Sequence, residues 1–187
     1  AISGSSEAQL DILSEKAKEM GIKTVFSATE AGKALEYMAM AGWKTADMTQ
    51  GISGVMNLAA ASGEDLAMVS DIVTDALTAF GLKASDSAHF SDVLAAASSN
   101  SNTNVAMLGE SFKYVAPVAG ALGYKVEDVA AGLGLMANQG IKAGMSGRAM
   151  KNILSNMTKP TKEMAAAMQT LGVSLTDESG NMLSFMD

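Results

Sequence analysis

One three-residue pattern recurs along this chain and limits what it can become: glycine, an apolar residue, lysine. It stands at Gly21-Ile22-Lys23, Gly42-Trp43-Lys44, Gly81-Leu82-Lys83, Gly123-Tyr124-Lys125 and Gly140-Ile141-Lys142, each time after an Ala- or Met-rich helical stretch. Glycine adopts the left-handed conformation that closes a helix, and an apolar residue after it folds back over the last turn. Five such stops, with a sixth at Leu171-Gly172-Val173, predict a string of short helices and forbid a continuous rod. The starts agree. Ser6 with Gln9, Ser27 with Glu30 and Ser62 with Asp65 have the spacing at which a cap residue and a partner three positions on satisfy each other's amide hydrogens. Helices are therefore expected over 6–20, 28–41, 46–61, 64–80, 86–98, 104–121, 126–138, 146–157 and 160–171.

The run from Asn138 to Leu183 changes character three times. Met150, Ile153, Leu154 and Met157 fall at helical spacing on one face, with Arg148, Lys151 and Asn152 opposite. Pro160 suits a first helical position after Thr158 or Lys159, because the amide hydrogen it lacks would have no partner there. A helix from Pro160 carries Met164, Ala167, Met168 and Leu171 on one side and stops at Gly172. Val173 to Leu175 and Met182 to Leu183 then flank a turn-rich cluster, as in a hairpin. The expected fold class is all-α: about nine short helices broken by glycine stops, with a small C-terminal β-hairpin.

The strings Met136 to Gly144, Gly147 to Leu154, Lys159 to Leu175 and Thr176 to Met182 together resemble the conserved core region of phage tail tape measure proteins, the family with a minor tail protein core domain. Met38 to Leu66 and Thr103 to Ala137 fit the same family, so the likeness covers nearly all of the chain after about residue 25. The resemblance implies a structural component of a phage or prophage tail. In that family the full-length protein occupies the tail tube, sets tube length during assembly and leaves before DNA enters the host cell. It also implies partners: the tail tube protein, tail assembly chaperones, tail-tip proteins, further copies of itself, and contact of the full-length protein with the host inner membrane. Its places would be the virion tail and, during assembly, the host cytoplasm.

With 187 residues the chain can bury roughly 70% of the surface its unfolded form exposes. It is expected to form one helical domain over 1–187, with 1–98 and 104–187 as candidate halves joined by the Ser/Asn-rich segment 98–104. Leu35, Met38, Ala39 and Gly42 match Leu133, Met136, Ala137 and Gly140 at an offset of 98, which either an ancient duplication or a shared helix-stop pattern explains. The chain begins with Ala1 and reads as a piece of a longer protein. Cysteine is absent, so neither disulfides nor thiolate metal sites are available. A net charge of −7 repels phosphate backbones, and no nucleic-acid binding is expected. Apolar residues reach 48% with only nine aromatics, so Ala, Met and Gly must form the core. Seven glycines fall within expected helices: Gly32, Gly51, Gly54, Gly109, Gly120, Gly132 and Gly134. Each costs about 1 kcal/mol relative to alanine, and close helix packing is the favoured offset.

Tests for chemistry give no catalytic, cofactor or metal residues. Gly132 to Ala137 fits the letters of a dinucleotide loop, but that loop needs a strand before it, and here the glycines lie inside a helix. His89 is the only histidine and has no acidic cluster at metal-ligand spacing. Glu64-Asp65 and Glu127-Asp128 open helices, where negative charge meets the positive end of the helix dipole. Asn156-Met157-Thr158 matches a glycosylation acceptor without a secretory context. Trp43 and Tyr124 are expected to pack back on their own helices, and the methionines to fill gaps or to line adaptable surfaces. A second reading, from a different class, is a membrane-active helical module that inserts through the apolar helices around Pro117 and Gly132.

Overall fold

A computed structural model describes residues 6–177, 179 and 182–184. Among them are nine α-helices: α1 (Glu7–Lys23), α2 (Ala28–Met40), α3 (Thr45–Ser62), α4 (Leu66–Phe80), α5 (Ser87–Asn100), α6 (Val105–Ala121), α7 (Val126–Asn138), α8 (Ala143–Thr158) and α9 (Lys162–Leu171), with a 3-10 turn at Ala84–Asp86. From α1 to α8 each helix packs on its neighbour in sequence, and from α1 to α6 each also packs on the helix two places further on, whereas α9 buries no residue. So α2, α4, α6 and α8 form one layer, α3, α5 and α7 a second, and α1 lies against α2 and α3. This is the arrangement of a helical-repeat array, in which pairs of helices stack and bury a continuous core between two layers. Phe112 of α6 holds the middle of that core, with its ring edge-on to Phe80 of α4 at 5.8 Å and to Phe90 of α5 at 5.7 Å.

The stops work as the pattern demands, with one exception. Gly42, Gly81, Gly123, Gly140 and Gly172 all have positive φ. In each case the amide of the following apolar residue bonds back to a carbonyl five residues earlier: Trp43 to Met38, Leu82 to Leu77, Tyr124 to Ala119, Ile141 to Met136 and Val173 to Met168. Gly21 is the exception. Helix α1 runs through it to Lys23, and a Cβ there would come within 2.6 Å of the Ala28 amide nitrogen, so its bareness serves the approach of α2.

Two starts also differ from expectation. Asp65, not Ser62, caps α4 by accepting from the Met68 amide, because a carboxylate beside the first turn is the stronger acceptor. Thr161, not Thr158 or Lys159, caps α9, so Pro160 precedes the cap and the helix begins at Lys162. Helix α8 begins earlier than expected, at Ala143. The Ser/Asn-rich segment is mostly ordered backbone: α5 continues to Asn100, Asn104 caps α6, and the Asn102 amide donates to Asn138 Oδ1 at 2.7 Å.

The expected C-terminal β-hairpin is corrected: no strand occurs among the described residues. One isolated antiparallel bridge joins Thr176 and Met182, and the Leu183 amide donates to the Leu175 carbonyl at 2.9 Å. Arms of two or three residues are too short for a two-stranded ribbon to hold itself together. The turn residues 178, 180 and 181 lie outside the described residues.

The 98-residue offset pairs the end of α2 with the end of α7, which belong to different layers. The repeat that the packing follows is shorter. Gly42-Trp43-Lys44, Gly81-Leu82-Lys83 and Gly123-Tyr124-Lys125, 39 and then 42 residues apart, each open a pair of helices, and each carries an aspartate three residues after the lysine. The Lys44 amide donates to Asp47, and the Lys83 amide to Asp86. The third aspartate, Asp128, instead accepts from the Ser184 hydroxyl at 2.7 Å.

Candidate functional site

The densest contact in the molecule is the joint between α6 and α8, and its chemistry begins with a small motif. Leu66-Ala67-Met68-Val69-Ser70, Val105-Ala106-Met107-Leu108-Gly109 and Ala143-Gly144-Met145-Ser146-Gly147 open α4, α6 and α8. The third residue of each is a methionine exposed to solvent, and the fifth is small. That fifth position is where α6 and α8 each meet the preceding helix of their layer. A Cβ on Gly109 would fall 2.5 Å from the Ile72 side chain, and one on Gly147 would overlap the backbone carbonyl of Ser111.

Hydroxyls close the α6–α8 joint. Ser111 and Ser146, both buried, lie 2.8 Å apart, and each is 2.8 Å from the Ala143 carbonyl. Ala143 itself has φ of 52°, a left-handed conformation that an L-residue adopts at a cost of about 1–2 kcal/mol. The two hydroxyls on its carbonyl hold it there. On the outer side Gly144 leaves room for the Tyr114 ring, and the Arg148 guanidinium lies over that ring at 4.7 Å from its centroid.

Charge is unevenly placed. Between residues 129 and 162 there are five basic side chains and no acid, although the chain as a whole carries −7. In the α4–α6 joint, the Glu110 carboxylate 2.8 Å away raises the affinity of Lys113 for its proton, and Asp71 and Asp75 add to that. Burial, and next the Asp71 charge, hold the Asp75 carboxyl above its ordinary range, while Lys113 opposes them. The α2–α4 joint is looser, with a groove of about 440 Å³ beside Phe26, Tyr37 and Leu66.

The residues tested for chemistry take structural places. Gly132 and Gly134 lie inside α7, and Gly134 faces Ser101 across the α5–α7 contact. His89 Nε2 lies 2.6 Å from Glu127 Oε1, linking the starts of α5 and α7. Burial pushes the Glu127 carboxyl up, but its own backbone amide, His89 and Lys125 together pull it below the usual carboxylate range. Asp65 is a cap, and Glu127 and Asp128 sit in the first turn of α7. Trp43 lies across the bare face of Gly51, and Tyr124 is buried. Among the described residues no group of three His, Asp or Glu side chains could hold a metal ion, and no helix is long and apolar enough to cross a membrane. The sequence reading singled out neither Ser111 nor Ser146. Their signal was the methionine-centred motif at Leu66, Val105 and Ala143.

Residues 14–187 match the family described as phage-related minor tail protein. The chain belongs to that family. It is 41% identical over 183 residues, 98% of its length, to the tape measure protein of Pneumococcus phage Dp-1. It is also 27% identical over 174 residues, 93% of its length, to a protein of Escherichia phage P2 described as "Probable tape measure protein". The chain spans 16% of the first relative and 21% of the second. No solved structure matches it. Membership of a tail protein family supports a structural role in a phage tail.

Proposed function

We propose that this chain is a packed core module of a tape measure protein, and that the full-length protein lies in the tail tube, sets tail length during assembly and helps deliver the genome. The observation that carries the reading is identity of 41% across almost the whole chain to a protein named for that role. The partners that fit it are the tail tube protein, the tail assembly chaperones, the tail-tip proteins and further copies of the chain. The full-length protein meets the host inner membrane at ejection, and its assembly begins in the host cytoplasm. The module acts as one unit across the segment 98–104, since the α4–α6 and α5–α7 contacts both bridge it. A structural role suits its buried polar side chains, which are serines and a threonine that nearly all bond within the array.

Tail length, in this reading, is encoded elsewhere in the parent protein. A continuous helix of 187 residues would reach about 280 Å. Solution scattering of this chain is expected to give a maximum dimension far below that, and a rod near full length would reject the module. In the phage, in-frame removal of one two-helix unit, residues 81–122, is expected to abolish infectious tails. Intact tails that were merely shorter in proportion would refute the assignment of length to other regions.

A further inference from the structure

We propose that copies of this chain stack end to end, with α2 of one copy seated on α8 of the next, continuing between molecules the joint that links α4, α6 and α8 within one. The contact rests on the self-association proposed above, and it could fail while the tail role stands.

Each half of such a joint is present and open. The receiving half is the face that α4 offers to α6 and α6 offers to α8. On α4 it includes Ile72 and Ala76, and on α6 it includes Ser111 and Val115, all of them buried. The same helical positions on α8 are Ala149 and Ile153. Among the described residues nothing in the layer packs on the far side of α8, and Ile153 is 45% exposed and Met145 beside it 61% exposed. The entering half is the small fifth residue. Gly109 and Gly147 use theirs against the preceding helix. In α2 the fifth residue is Gly32, and a Cβ built there meets nothing within 4 Å, although α1 packs alongside α2. A helical glycine with no close neighbour lacks the compensation that the other joint glycines have.

Charge selects the pairing. Helix α8 carries Arg148 and Lys151 and no acid, so two copies meeting α8 to α8 would place like charges together. The α1–α2 end has Glu7, Asp11, Glu15, Glu19, Glu30 and Glu36 against four lysines, which gives the opposite sign. The occupant that fits α8 in shape and sign is therefore the α2 end of a second copy. A contact between two different faces does not close on itself as a two-fold dimer, so the assembly is a ring or an open filament.

The test uses three forms of the chain in sedimentation velocity across a concentration series. Wild type is expected to grow in mass with concentration, past a dimer. Gly32→Arg places bulk and positive charge into open space at the α2 end, and Ile153→Glu does the converse at α8. Each is expected to weaken association tenfold or more while keeping the wild-type helical spectrum and without lowering the melting temperature. Mixed in equal amounts, the two variants retain one intact α2 face and one intact α8 face between them, and should form a 1:1 dimer and nothing larger. Should Ile153→Glu lower the melting temperature, Met145→Glu at the same face takes its place. A wild-type chain that stays monomeric at its highest soluble concentration overturns the proposal. So does Gly32→Arg associating like wild type, or a mixture that stays monomeric.

Discussion

Gly147 of α8 lies against the backbone carbonyl of Ser111 in α6, so that a bare α-carbon is the contact surface between the two helices. A methyl group there would strike backbone, which cannot turn aside as a side chain can. Gly147→Ala is therefore expected to force the helices apart and to cost about 1–3 kcal/mol, read from urea unfolding. Gly32→Ala, at the matching position of α2 where no atom lies close, should instead gain up to about 1 kcal/mol from helix propensity. Opposite signs at two equivalent positions are the signature of the joint, and equal signs would discredit it.

Trp43, the only tryptophan, reports on a second glycine contact. Its ring covers Gly51, where a Cβ would overlap it, and the ring is already half-exposed. Gly51→Ala should push the indole toward water and shift its emission to longer wavelength. An unchanged spectrum would mean that the ring does not rest on that helix.

Ala143 holds a left-handed conformation at the start of α8. Ala143→Gly should relieve the strain and leave stability unchanged or raised by up to about 1 kcal/mol, whereas Ala143→Val should lower it. Thermal melts of the two variants decide the matter, and a clear loss with glycine would contradict the strain.

Acid should weaken the array partly through Glu127. Its carboxyl titrates below the usual range in the folded chain, so the folded state binds this proton less readily than the unfolded one. The stability it contributes is complete above the unfolded value, about 4.3, and is lost as pH falls through the lower folded value. With both partners largely exposed, the effect should stay below about 1 kcal/mol. Melting curves between roughly pH 3 and pH 6 should show a shallower slope in Glu127→Gln, and an identical slope would remove Glu127 from the account.

Local signals in the sequence were strong and long-range ones weak. Glycine followed by an apolar residue marked five helix ends, because the bond from Trp43 back to Met38 and its counterparts is closed within six residues. The caps at Ser6 and Ser27 were legible for the same reason. Gly21 was misread because its role depends on Ala28 of the next helix, and the stop pattern is blind to a neighbour's position. The small fifth residue of α6 and α8 was equally hidden. Its meaning lies in Ile72 and Ser111, more than thirty residues away in each case, and only the stacking order brings them together. The short arms about the C-terminal turn had the letters of a hairpin without the length to pair as one.

The two-layer stacking sets how far a stretch of this chain can reach. Thirty-nine residues drawn out as one uninterrupted helix extend about 59 Å. Folded as a unit of this array, the same residues advance it by a single helix-to-helix spacing, about 10 Å. Adding or removing a unit would therefore change the reach of the array by about that spacing, roughly a sixth of what the same residues would span as one helix.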